Sequence, residues 1–267
     1  MSSFVVLTFL VTWSLWFFLV VSGLEYERRL WKYLYVAGLS GPLAASLGVT
    51  LLLEGKRGPA RLVERVLMWK FSPVWYLVSV FLPALLMLGA AGIYHLISRD
   101  AIELPRLTFS VIVLLFAYMI VRGGPANEEL GWRGFLLPRL LQAHSPFWAS
   151  LILFPIWMTW HVPLWFLTGL PHPYWPFHYF ALLVAPLTFL FTWLHLRAKG
   201  SVLVAILFHA SINTTIQFLP MLPPRHPGLA PFALWIAITW AVALCVIGRN
   251  PDSWFSNQRP ASHQNKI

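Results

Sequence analysis

Apolar runs alternate with short polar breaks along the chain, and the runs recur at membrane length. Residues 4–21, 33–53, 74–97, 107–121, 147–167, 177–196, 202–218 and 231–247 each come near the roughly 20 residues that carry a helix across a bilayer. The runs are too long, and alternate too little, to be strands of a membrane barrel. In lipid the backbone must satisfy its own hydrogen bonds, which leaves the helix. The pattern therefore predicts an all-α, polytopic transmembrane helix bundle of about eight spans. No internal repeat and no soluble domain interrupts it. The first run has no basic segment before it and reads as a span, not as a cleavable leader.

Between the second and third runs lies EGKRGPARLVERVLMWKF. Its polar and apolar positions interleave at helical spacing, which fits a helix lying on the membrane surface. An ordinary basic loop accounts for the same residues. The polar end, residues 249–267, is expected to be mobile.

Composition agrees with the pattern. The 267 residues are 58% hydrophobic and 10% charged, and mean hydropathy is +0.69. Soluble domains carry roughly 25% charged residues. The net charge of +10 sits in breaks between apolar runs, so it points to orientation and anionic lipid, not to nucleic acid. With the N-terminus cytoplasmic, the segments on that side hold 13 Lys and Arg and those on the other side hold 6. Both termini are thus expected inside, in the plasma membrane of a prokaryote. The one cysteine, Cys245, excludes an internal disulfide.

Three polar clusters break the apolar pattern. The first is RGGPANEELGWRGFLLPRLLQ, whose two glutamates are the only acidic residues between Glu103 and Asp252. Gly123, Gly124 and Pro125 should break the helix, and Asn127 is expected to cap its restart. Glu129 and Arg133 are four apart, share a face and can pair. Glu128 points about 100° away and need not share that cation. A carboxylate left to itself suits a general base, although acids at a helix start can also serve the helix dipole alone. The second cluster is WMTWHVPLWF, with His161 inside a span and Pro163 just after it. The third is LFHASINTTIQF, where His209 and Asn213 are four apart on one face. Hydrogen bonding between helices explains that pair as well as a shared ligand does. The other histidines (95, 144, 172, 178, 195, 226 and 263) fall at span ends, in loops or in the tail, where interfacial or solvent roles suffice.

Taken together, Glu-Glu-x-x-x-Arg, aromatic-x-x-x-His and His-x-x-x-Asn on successive spans resemble the CPBP family of intramembrane proteases. That family includes CAAX prenyl endopeptidases of the Rce1 type and bacterial proteins linked to bacteriocin self-immunity. The words EELGWRG, WHVP and FHASIN fit it too. The resemblance covers roughly residues 107–220, with other membrane helices at 1–106 and 221–248. Trp157 stands where the second motif usually has phenylalanine.

The resemblance implies peptide-bond hydrolysis within the membrane, near the C-terminus of a membrane-associated and possibly lipidated protein or peptide. Glu128 and His161 would activate water. His209 and Asn213 would donate to the oxyanion, and Glu129 with Arg133 would hold and tune Glu128. Zinc on Glu128, His161 and His209 is conceivable. The sequence lacks His-Glu-x-x-His, however, and Asn213 is a poor zinc ligand, so a metal-free mechanism is the preferred expectation. Two other functions compete: a non-catalytic immunity or scaffold protein of the same fold, and a solute transporter using Glu128 and the histidines as a proton relay. The lack of an internal repeat argues against the transporter.

Overall fold

The computed structural model describes residues 1–99, 107–122 and 124–256. Gly123, His263 and the chain end beyond residue 256 lie outside these. Helices and turns account for the described residues, with no strand among them.

Among the described residues, five helices are long and apolar enough to cross a membrane: α1 (Ser2–Val21), α5 (Val74–Ser98), α9 (Pro146–Trp160, continued by a 3-10 turn to Phe166), α10 (Phe177–Arg197) and α12 (Ala230–Gly248). Two further expected spans are bent pairs. One is α2 (Arg29–Leu39) with α3 (Gly41–Glu54), bent by 46°. The other is α6 (Phe109–Arg122) with α7 (Pro125–Gly131) and α8 (Leu137–Ala143), bent by 45°. Counting each pair once gives up to seven spans. The eighth expected segment is α11 (Leu203–Phe218), which at 16 residues is shorter than the rest. It is sheltered instead, packing against α5, α6, α7 and α10.

The breaks follow from local chemistry. Gly124 sits at φ 103°, outside the helical range, and Pro125 follows as the first residue of α7. Proline there loses an N–H that the helix start leaves unbonded anyway. The expectation that Asn127 caps this helix is therefore corrected: Gly124 holds the cap position and Asn127 lies inside the first turn. At the other end, α9 stops at His161 because Pro163 cannot continue it.

Between α7 and α8 the chain widens into a π-helical turn, Trp132–Leu136. Pro138 has no N–H for the Gly134 carbonyl, its partner in a regular helix. Arg65 Nη1 donates to that carbonyl instead, at 3.3 Å. Arg65 belongs to α4 (Arg57–Val66), so the basic segment is helical here and not a loop. The Arg65 carbonyl accepts the Val202 N–H at 3.0 Å, and Ser201 Oγ donates to the Met68 carbonyl at 2.7 Å. These bonds dock the segment against the α10–α11 connection.

Large apolar side chains such as Leu52, Leu114 and Phe109 face outward, while Glu128, Glu129 and Arg133 are buried, as expected of a protein whose solvent is lipid. The expected mobile tail needs correction as far as residue 256. A short helix, α13 (Pro251–Phe255), buries Trp254 and places the Phe255 ring 4.8 Å from that of Phe147. These aromatic contacts give the segment an apolar anchor that its polar neighbours in sequence conceal.

Candidate active site

All six polar residues singled out in the sequence meet in the middle of the bundle. Glu128 and Glu129 come from α7, Arg133 from the π-helical turn, His161 from the end of α9, and His209 and Asn213 from α11. Helix α7 is held against α3, α6 and α11. Its approach to α3 depends on Gly131, where an added Cβ would lie 2.5 Å from Pro42 Cβ.

The two glutamates have separate partners. Arg133 Nη1 donates to Glu129 Oε1 at 3.0 Å, and both side chains are fully buried. The guanidinium is sandwiched between aromatic faces, 4.2 Å from the Trp157 ring centre and 3.8 Å from that of Phe191. Such stacking partly replaces lost hydration. Glu128 makes no bond to Arg133. It is not free, however, because Trp157 Nε1 donates to its Oε2 at 3.0 Å. On the other side Oε1 abuts Gly124, where a Cβ would sit 2.6 Å away. The sequence expectation of one paired and one unpartnered carboxylate is corrected to two held carboxylates with different donors.

The histidines are fixed in tautomer by what they face. His161 Nδ1 lies 2.7 Å from the Trp157 carbonyl. A carbonyl only accepts, so Nδ1 carries the proton and the neutral ring presents Nε2 as a lone pair. His209 Nδ1 lies 2.8 Å from Glu129 Oε1, so His209 also spends its Nδ1 proton on a carboxylate. The bond goes to the glutamate already paired with Arg133. Two carboxylates and one guanidinium share the site, and one further proton held among Glu128, Glu129 and His209 makes the cluster neutral.

A cavity of about 640 Å³ opens beside this cluster. Glu128, His161, His209 and half-buried Asn213 line it, whereas Glu129 and Arg133 stand behind the wall. Four groups thus face whatever enters, and two support them. Among the described residues, no group of three or more His, Cys, Asp or Glu is disposed to hold a metal ion.

Residues 108–215 match the family model of type II CAAX prenyl endopeptidases, Rce1-like. Over this central segment the chain is similar to the Rce1-like family. A curated relative, "CAAX prenyl protease 2" of Methanococcus maripaludis, is 34% identical over 98 residues, which span 34% of this chain and 36% of the relative. The match thus covers about a third of each. All six site residues fall inside the Rce1-like segment.

Other contributors were not singled out in the sequence. Tyr35 of α2 and Tyr118 and Arg122 of α6 line the cavity, as do His172 and Arg225 from loops. The sequence pattern places His172 in a loop, where a solvent role suffices. Burial pushes its imidazole down to about 3, and its Nδ1 is sealed with no hydrogen-bond partner. Spacing gave a partial signal for Tyr35, since Trp31, Tyr35 and Leu39 recur every four residues on one face. Nothing comparable marks His172.

Proposed function

We propose that the protein is an intramembrane endopeptidase of the CAAX type, hydrolysing a peptide bond near the C-terminus of a membrane-associated protein or peptide. One observation carries this reading: Glu128, His161, His209 and Asn213, all within the Rce1-like segment, line a single cavity. A substrate carbonyl enters that cavity with a water beside Glu128. His161 Nε2 and the Glu128 carboxylate are both acceptors, so either can take the water proton as its oxygen adds to the carbonyl carbon. The same proton then passes to the departing amine as the C–N bond breaks, which returns the base to its starting form.

The developing oxyanion is met by Asn213 and His209. Since Nδ1 of His209 is committed to Glu129, its donating form at Nε2 is the imidazolium, held by the Glu129 carboxylate. This role accounts for burying Glu129 and Arg133 where they touch no substrate. One oxyanion donor contributes about 3–4 kcal/mol to barrier lowering, so Asn213→Ala should lower kcat by roughly 100-fold or more. No step in this scheme runs through a metal. Activity retained after dialysis against a chelator is the expected result.

The deciding experiment compares wild type with Glu128→Gln, using C-terminal proteomics of membranes and a quenched fluorescent peptide ending in a farnesylated Cys-aliphatic-aliphatic-X sequence. Loss of cleavage in a variant that still inserts and melts like wild type is expected. Undiminished cleavage would discard the reading. An unchanged cellular phenotype in Glu128→Gln would favour the non-catalytic immunity or scaffold role.

A further inference from the structure

Trp157 occupies the aromatic position of the second motif, but it does more here than a phenylalanine ring can do. Its side chain is 3% exposed. The indole Nε1–H donates to Glu128 Oε2 at 3.0 Å. The ring face receives the Arg133 guanidinium at 4.2 Å, and the ring stands edge-on to His209 with centres 5.8 Å apart. The Trp157 carbonyl accepts the His161 Nδ1 proton at 2.7 Å. One residue therefore touches four of the six polar site residues. Packing alone explains the ring. It does not explain why the only N–H of the indole points at a carboxylate.

We propose that Trp157 is a positioning residue for Glu128, and that its N–H, absent from phenylalanine, sets which carboxylate oxygen acts as base. A hydrogen bond to an ionised acceptor is stronger than a neutral one. Here it fixes Oε2, while Oε1 lies in space that is open only because Gly124 has no side chain. The carboxylate is thus held at its Oε2 end by the indole N–H. Rotation about the last torsion of a glutamate is otherwise soft, and a small error in the position of a base costs rate without costing binding. The inference rests on the proteolytic reading and deepens it.

The test uses the farnesylated reporter peptide and the full-length protein in detergent or liposomes. Trp157→Phe keeps a ring over Arg133 and removes the N–H. The expected result is a kcat roughly ten- to a hundredfold lower, the range of one hydrogen bond to a charged group, with KM within about twofold. Should Trp157→Phe fold poorly, benzothienylalanine incorporated at position 157 keeps the indole shape with sulfur in place of N–H. It should show the same loss. A wild-type kcat in either variant, with Glu128→Gln inactive, overturns the positioning role and leaves the proteolytic reading standing. A reporter that wild type does not cut, or that Glu128→Gln cuts equally well, overturns the proteolytic reading and this inference with it.

Discussion

Arg133 is the residue whose burial most needs explaining. A fully buried guanidinium is tolerated only with a partner, and Glu129 supplies one while Trp157 and Phe191 enclose the rest. Removing one member strands the other, which costs about 3–5 kcal/mol. Arg133→Ala should therefore lower the midpoint of thermal unfolding in detergent by several degrees and abolish cleavage. Arg133→Lys keeps the charge but not the flat stack or the fork of donors, so it should fall between the two. If Arg133→Ala melts like wild type, the pair is not structural. His172 gives a pH prediction. Its imidazole is lowered from 6.5 to about 3 in the fold, so the native state binds fewer protons than the unfolded chain between those values. Stability from this residue is complete above about pH 6.5 and falls as pH drops toward 3. His172→Phe should lose less stability than wild type between pH 7 and pH 5, by up to about 2 kcal/mol. Equal losses in denaturant titrations at the two pH values would remove His172 from the account.

At the scale of elements, the break before α7 carries the site. Gly124 combines a φ of 103° with contact to Glu128 Oε1, so a side chain there is excluded twice. Gly124→Ala should reduce kcat at least tenfold. A variant that cleaves at the wild-type rate would mean the break is not what aims Glu128. The same region marks how far the sequence could be read. The eight helical segments, the glycine-proline break and the Glu129–Arg133 pair were legible because each depends on neighbours within four residues. Contacts between helices were not. Spacing puts His209 and Asn213 on one face of α11 but cannot say which carboxylate that face meets, and His209 meets Glu129. Similarly, the second motif marks Trp157 as its aromatic but not that its N–H meets Glu128. The Asn127 cap failed because proline at the first helical position left Gly124 as the cap.

On the scale of the whole molecule, the cavity lies toward one end of the bundle. Tyr26, just after α1, lines it together with His172 and Trp175 of the α9–α10 connection and Arg225 of the α11–α12 connection. The bent pair α2–α3 runs back from that end, so α4 and its cations Arg57, Arg61 and Arg65 lie at the other. Arg122 and Arg133 lie within the bent span α6–α8 and leave the loop charges, which leaves 11 Lys and Arg against 6 and keeps the bias toward the α4 side. If that bias sets orientation, α4 is cytoplasmic and the cavity opens away from the cytoplasm. The check is labelling by a membrane-impermeant maleimide in intact cells, in a Cys245→Ser background. Glu25→Cys, on the exposed loop after α1, should react at once, whereas Glu64→Cys on α4 should react only after permeabilisation. The reverse pattern would turn the cavity to the cytoplasm, where a lipidated C-terminus of a cytosolic protein could reach Glu128 directly. The expected pattern instead requires the scissile segment to arrive from the outer leaflet, and so directs the substrate search toward exported membrane-attached proteins and peptides.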